Sequence, residues 1–425
     1  MAKVIVVGAG MAGCAAALSA AQAGAQVTLL ERTDLLLGGG IRAGRMDYEG
    51  KFTVAQEAKA LGCGQFFETL ESIILHRANI VGEKHGYVYN TAIAEPTVKS
   101  LVQGAGVDIR LKSRAVDVRK KNGRILSVEL DGGSVVEGDA FVDASGSSGG
   151  VDVCTKYGGG CAMCVFFRCP TFGDRVSIAT KAGAPELMRR RPDGTPGALT
   201  LLGTQFILKE SLAPQLRAEL EEKGVVRIPL PPELIDYSIL EKMGPVRTRE
   251  QVEGINLVNI GSVAKCVPPV LDSAEAVHAM PGLEKARFEG AGKYGKVKYI
   301  TMTPRDNSLR VDGFANLFVA GEKAGPSSGL AEAMVLGHLA GHNAVRTLAG
   351  KKPLILPRTL GIGDFVAYLD ERMRNDPVIY RSYSMGSGVY FQRMKELGLY
   401  TTDLDETRGR VERAGLIGIM AQRVI

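Results

Sequence analysis

The sequence predicts an α/β chain organised around a parallel sheet, and three stretches predict it. They are "KVIVVGAGMAGCAAALSAAQAGAQVTLLER" (residues 3–32), "DAFVDASG" (139–146) and "NLFVAGEKAGPSSGLAEAMVLGHLAGHNAVR" (316–346). Each opens on a short continuous apolar run closed by small residues, as strands buried on both faces require. The first and third run on into a long helical pattern, which gives the strand-turn-helix alternation of a parallel sheet.

The first stretch is the most informative. Val4 to Val7 reads as a buried strand, and Gly8, Gly10 and Gly13 form G-x-G-x-x-G at the start of an Ala-rich helix. Gly8 allows the sharp turn, Gly10 lets a pyrophosphate approach the backbone, and Gly13 lets helix and strand pack closely. Met11 and Ala12 lie in the first turn, where free N–H groups receive phosphate oxygens. A second strand, Gln26 to Leu30, ends at Glu31, 18 residues after Gly13. A carboxylate at that place accepts hydrogen bonds from an adenosine ribose, with Arg32 beside it. Strand, glycines, helix and acid together predict a dinucleotide site.

Further along, "LLLGGGIRAGRM" (Leu35 to Met46) is a glycine-rich loop in which Gly39 and Arg42 are candidate cofactor contacts. Residues 49–92 read as a helical insertion. "VDIRLKSRAVDVRKKNGRILSVEL" alternates as strands do, with an Asn122-Gly123 hairpin turn; it carries the candidate Val116. The small-residue turn after residue 143 supplies Ala144, Ser145 and Gly146. The expected organisation is a first part of the dinucleotide-binding domain over 1–150, a substrate domain over 151–300, a return segment over 301–347 and a C-terminal helical segment over 348–425.

Composition narrows the class. The chain has 425 residues, 45% hydrophobic and 23% charged, with a net charge of +6. That excess permits an anionic partner without demanding one. No apolar run reaches 18 residues uninterrupted, so no membrane partner is expected. The N-terminus does not read as a signal peptide. A cytoplasmic protein is expected, with thiols reduced unless they bind metal or do redox work.

Four of the seven cysteines, Cys154, Cys161, Cys164 and Cys169, crowd into "VCTKYGGGCAMCVFFRCP". Soft thiolates in this number suit an iron-sulfur cluster or zinc. Cys161 and Cys164 also form a C-x-x-C pair able to exchange electrons as a dithiol. Free cysteines are equally at home as small buried apolar groups. The spacing leaves all four readings open. His338 and His342 stand i, i+4 on the last helix of the third stretch, where packing or a cofactor-side contact is favoured over metal binding. Arg189 to Arg191 and Lys293, Lys296 and Lys298, interleaved with Tyr294 and Tyr299, are either solvated surface or contacts to RNA phosphates. Tyr87 and Tyr89 line a cofactor pocket or simply occupy a strand.

"VVGAGMAGCAAA" and "GLAEAMVLGHLAGHNAVR" together resemble the GidA/MnmG and TrmFO flavoproteins, within the flavoproteins with two dinucleotide-binding domains. The resemblance covers residues 1–48, 93–150 and 300–347. It implies an α/β fold: a Rossmann-like FAD-binding domain of the glutathione-reductase type with an inserted α+β substrate domain and a helical C-terminal tail. It implies FAD as cofactor and returns the 139–146 segment near the adenine side. Glu322, after Gly321, would bind the ribityl or pyrophosphate region. The Gly329-Leu330-Ala331 backbone would face the flavin O2 edge, where positive helix-terminus charge stabilises reduced flavin. Gly38 to Gly44 lacks the loop cysteine of MnmG-type proteins, and Cys63 in "ALGCGQFF" is the candidate for the early cysteine of TrmFO-type proteins.

Three functions follow. The first expectation is an FAD-dependent oxidoreductase whose cysteine-rich stretch, with Cys161 and Cys164 as catalytic pair, passes electrons between the flavin and an unidentified donor or acceptor. The second is a GidA/TrmFO-type RNA-modifying enzyme using reduced FAD and a folate one-carbon donor. The third is a flavin-bearing electron-transfer subunit, and a homo-oligomer is compatible with each.

Overall fold

The computed structural model describes residues 2–38, 40–46, 49–77, 85–146, 176–188, 205–237, 252–261, 263–267, 274–287, 301–327, 329–375, 383–386 and 388–425. At its centre five parallel strands lie in the order Leu317–Val319, Ala140–Asp143, Lys3–Val7, Gln26–Leu30, Asp108–Arg110. Val4 pairs with Ala140 on one side and Val27 on the other, and Phe141 pairs with Leu317. Val4, Ile5 and Val6 are buried on both faces, which is why the strand shows a continuous apolar run rather than alternation.

Two helices cover one face. Met11–Gln22 is buried from Met11 to Ala20, and Leu330–Leu348 packs along it. Their closeness comes from small residues on a shared stripe. A Cβ on Gly337 would stand 2.2 Å from the Ala12 carbonyl oxygen, and one on Gly341 would stand 2.1 Å from that of Ala16.

Beyond the sheet, Ala115–Lys121 and Arg124–Leu130 form the expected hairpin, with Asn122 (φ 50°) and Gly123 (φ 68°) both left-handed as a type I′ turn demands. Residues 49–92 carry the helices Glu49–Leu61 and Gln65–Glu71. They also carry strands Ile74–His76 and Tyr87–Tyr89, which join Arg45–Met46 in a small antiparallel sheet. The expectation of a helical insertion was therefore incomplete; Tyr87 and Tyr89 flank a valine in a run that favours strand.

A four-stranded antiparallel sheet, in the order Gln205–Leu208, Val263–Val267, Gly254–Asn259, Val225–Pro229, supports helix Pro214–Lys223 over its own core of Ile207, Leu220, Ile255 and Leu257. A small cluster of Val88, Phe206, Val258 and Ile260 joins this sheet to strand Tyr87–Tyr89. The Thr91 hydroxyl donates to the Ile260 carbonyl at 2.7 Å across the same seam.

The helical C-terminal segment is present and docked. Helices Gly361–Asn375, Gly388–Glu396 and Leu404–Arg413 place Phe365, Tyr390, Met394 and Val411 in the main core. Buried Glu57 receives the N–H groups of Gly361 and Ile362 at 2.8 and 2.9 Å, capping the first of these helices from a helix 300 residues away in sequence. Asp364 takes a two-pronged contact from Arg393 at 2.9 and 2.8 Å, with the Tyr390 hydroxyl at 3.1 Å. The Val424 N–H reaches the Ala23 carbonyl at 2.8 Å, so the chain end returns to the first helix. Among the described residues no helix is long and apolar enough to cross a membrane.

Candidate functional site

The glycine turn between Lys3–Val7 and Met11–Gln22 forms a cradle. Gly8 has φ +96°, and a Cβ there would stand 2.6 Å from the Ala144 carbonyl oxygen. A Cβ on Gly13 would stand 1.7 Å from the Gly8 carbonyl oxygen, so only glycine lets the helix start this close to the strand. Gly10 is different: a Cβ on it would meet nothing within 4 Å. The backbone there faces open space. The helix that follows has no side-chain cap and no acid in its first turn, which leaves its N–H groups for an anion.

Glu31 stands directly beside this turn. Its Oε2 accepts the Ala9 N–H at 2.8 Å, and its Oε1 accepts the Thr33 N–H and hydroxyl, both at 2.9 Å. The Ser113 N–H donates to the Glu31 carbonyl at 2.7 Å, bringing the start of strand Ala115–Lys121, and with it half-buried Val116, to the same edge. Half-buried Arg32 follows. Leu37 (φ 67°) donates its N–H to the Ala9 carbonyl at 2.7 Å, so the glycine-rich loop runs along the turn. Tyr89 donates its hydroxyl to the Gly40 carbonyl and its N–H to the Gly44 carbonyl, pinning the far end of that loop.

The other two stretches converge here. Asp143, fully buried, accepts the Ser145 N–H and hydroxyl at 3.0 and 2.6 Å, the Ser177 hydroxyl at 2.7 Å and the Ala179 N–H at 3.0 Å. That network holds Ala144, Ser145 and Gly146 beside Gly8, and sequence reading missed it because a strand-end aspartate looks like any turn residue. Gly321 (φ +61°) lies against the first helix, where a Cβ would stand 2.8 Å from the Ala12 Cβ. Glu322 follows in the same short helical turn, half-buried. Lys323 is buried and pairs with Glu186 at 3.1 Å. Helix Leu330–Leu348 starts at Gly329, φ +139°, without a side-chain cap. The structure thus gathers Gly8, Gly10, Met11, Ala12, Gly13, Glu31, Ala144 and Gly321 at the carboxyl ends of the parallel strands. Gly39 lies outside the described residues, as does the Arg42 side chain.

Cys154, Cys161, Cys164 and Cys169, Arg189 to Arg191 and the Lys293 to Tyr299 segment all lie outside the described residues. The three described cysteines, Cys14, Cys63 and Cys266, are buried, and burial pushes each thiol up to about 12. Cys63 donates its thiol to the Ala58 carbonyl at 3.4 Å. Cys63, the candidate for the early cysteine of TrmFO-type proteins, is thus buried against its own helix, where burial disfavours the thiolate. His338 and His342 are both buried, with Phe66 edge-on to His338 at 6.4 Å, so they pack rather than ligate. Burial lowers His338 to about 3 and His342 to about 4, His342 being pushed further by Arg346 and Lys351. Among the described residues no three His, Cys, Asp or Glu side chains group as a metal site.

Residues 3–152 match the family model described as FAD dependent oxidoreductase, and residues 256–352 match that of Glucose inhibited division protein A. The chain thus resembles FAD-dependent oxidoreductases over its first third and GidA, MnmG and TrmFO in particular. Over 87 residues, 20% of this chain and 14% of the relative, it is 38% identical to the tRNA uridine 5-carboxymethylaminomethyl modification enzyme MnmG of Desulfitobacterium hafniense. Over 99 residues, 23% of this chain and 22% of the relative, it is 31% identical to the methylenetetrahydrofolate–tRNA-(uracil-5-)-methyltransferase TrmFO of Koribacter versatilis. The aligned part therefore spans less than a quarter of either relative's length. The fold matches that of Aquifex aeolicus GidA with a TM-score of 0.63 at 16% identity, over 97% of this chain and 76% of that one.

The residues present fit FAD. The open space over Gly10, which any Cβ would enter, and the uncapped helix N-terminus suit a pyrophosphate, and Glu31 stands where a ribose would hydrogen-bond. Bound FAD would supply a two-electron carrier at this site.

Proposed function

We propose that this flavoprotein modifies RNA, using reduced FAD and a folate one-carbon donor. The observation that carries the reading is that two separate family matches, residues 3–152 and 256–352, meet at one site through the parallel sheet, and that the relatives aligned with the chain are named as tRNA-modifying enzymes. A cytoplasmic setting goes with such a substrate. The net charge of +6 suits a polyanion, and Arg189 to Arg191 with Lys293, Lys296 and Lys298 are the proposed phosphate contacts. The alternative, in which Cys161 and Cys164 exchange electrons with the flavin, rests on cysteine spacing alone, and the relatives' names lend it no support.

The test is direct. Unmodified tRNA is incubated with the FAD-loaded protein, a reductant and methylenetetrahydrofolate, and its nucleosides are then weighed by mass spectrometry. A uridine mass gain that needs both FAD and the folate supports the reading. No mass change, together with no RNA binding at micromolar protein in low salt, rejects it.

A further inference from the structure

Helix Leu330–Leu348 carries an acid in the turn where a flavin edge would find positive charge. Glu332 lies there, 0% exposed. Its Oε1 accepts the Ser384 hydroxyl at 2.7 Å and the Met385 N–H at 2.8 Å. Its Oε2 is buried and accepts no hydrogen bond among the described residues, and the Lys51 ammonium, 6% exposed, stands 3.8 Å from it. Three segments far apart in sequence thus meet at one carboxylate. Tyr383 fastens the third of them to the loop before the helix, donating its N–H to the Pro326 carbonyl at 2.7 Å.

This is not a solvated acid at a helix terminus. A buried carboxylate costs several kcal/mol unless paired, and here a hydroxyl, an N–H and an ammonium offset that cost. Gly329 makes room for it: a Cβ on Gly329 would stand 2.0 Å from Glu332 Oε2. The oxygen without a hydrogen bond therefore lies against the backbone of Gly329.

We infer that Glu332 and Lys51 form an opposed charge pair that sets the potential of the bound flavin, Glu332 lowering it and Lys51 raising it. The inference rests on the FAD reading of the Gly329-Leu330-Ala331 backbone. Two-electron reduction adds negative charge to the pyrimidine side of a flavin, and a helix N-terminus favours that charge. A carboxylate in the first turn opposes it, and an ammonium beside the carboxylate restores part of it. Both act at short range in a buried site, where charges are weakly screened. Glu332 and Lys51 are positioning residues in this scheme, acting through the helix terminus. Their balance makes the reduced flavin a stronger donor than the bare helix terminus would.

The experiment uses the full chain loaded with FAD, as wild type, Glu332→Gln, Lys51→Met and the double variant. FAD per chain is read first, from flavin released by heat. Midpoint potentials are then measured against reference dyes. Glu332→Gln is expected to favour reduced over oxidised flavin by at least tenfold, about 30 mV upward for a two-electron couple. Lys51→Met is expected to move the potential downward, and the double variant to return toward wild type. A merely structural pair would not give shifts of opposite sign. If the variants load FAD and share the wild-type potential, or if Glu332→Gln shifts it downward, the inference is overturned. If Glu332→Gln does not fold, Lys51→Met decides: a downward shift supports the pair and an unchanged potential rejects it. Wild type that takes up no FAD overturns the FAD reading itself, and the inference with it.

Discussion

Gly337 lies so close to Ala12 that a Cβ on it would stand 2.2 Å from the Ala12 carbonyl oxygen. The obstacle is backbone at the first turn of the dinucleotide-binding helix, so it cannot rotate away as a side chain would. Gly337→Ala is expected to push the two helices apart and to destabilise the protein by about 2 kcal/mol or more, within or above the range for an overpacked core. Thermal melts of wild type and variant check this. Because the shift acts on Ala12 and its neighbours, FAD affinity is expected to fall as well.

Gly10 is the opposite case, a glycine with space around it. A Cβ there meets nothing within 4 Å, so Gly10→Val is expected to leave the fold intact. It fills the space over the uncapped helix terminus, where the pyrophosphate would approach the backbone. The expected outcome is far-ultraviolet circular dichroism like wild type with FAD retention lost, measured as flavin per chain after gel filtration. Wild-type flavin content in the variant would move the phosphate site elsewhere.

The difference between these two glycines marks what the sequence makes legible. G-x-G-x-x-G, the strand before it and the acid 18 residues after it all lie within one 30-residue stretch. The Asn122-Gly123 turn and the strand leading to Asp143 are likewise read from neighbours in sequence. Gly337 and Gly341 are visible as small residues on a helix, but the partners that require them lie some 320 positions earlier. The same holds for the buried acids. Glu57 in "TVAQEAKAL" and Glu332 in "GLAEAM" look like solvated helix positions; only the fold brings Gly361, Ile362 and Lys51 to them. The small sheet around Tyr87–Tyr89 was missed for a related reason, since its partner strands are 2 and 3 residues long and leave little pattern.

Glu57 holds the C-terminal helices to the rest of the chain. Glu57→Ala removes the acceptor of two backbone N–H groups, leaving both buried near Arg410, which stands 3.8 Å from the carboxylate. A loss on the order of 3 kcal/mol is expected, since hydrogen bonds to charged groups are worth about 1.5–3 kcal/mol each. Limited proteolysis resolves where it acts: the variant should be cut within residues 348–425 before the FAD-binding sheet is lost. Uniform cleavage along the chain would show that the segment and the sheet open together.

Stability should fall on mild acidification, because His338 and His342 are held neutral. Burial is the main cause for both, and the folded values are about 3 and about 4 against an ordinary 6.5. Below 6.5 the unfolded chain takes up protons that the folded protein refuses. Stability from these groups is therefore full above 6.5 and is lost as pH falls toward 4. pH 5 lies about 1.5 units below the ordinary imidazole value, so holding each ring neutral there costs about 2 kcal/mol of stability. His342→Leu should flatten the denaturation midpoint between pH 7 and pH 5 relative to wild type. A slope unchanged by the substitution would place the acid sensitivity elsewhere.

The cysteines divide by reactivity. Cys14, Cys63 and Cys266 are buried, with thiols pushed up to about 12, so the thiolate that reacts with disulfide reagents is scarcely populated at pH 8. Native protein titrated with a chromogenic disulfide is expected to release no more than four equivalents, and denatured protein seven, the full count of the sequence. The fast thiols should then map by peptide mass to Cys154, Cys161, Cys164 and Cys169. Cys63→Ser should leave flavin content unchanged, because among the described residues its thiol meets just the Ala58 carbonyl. If Cys63 labels in the native state, the end of helix Glu49–Leu61 that carries its Ala58 acceptor must open.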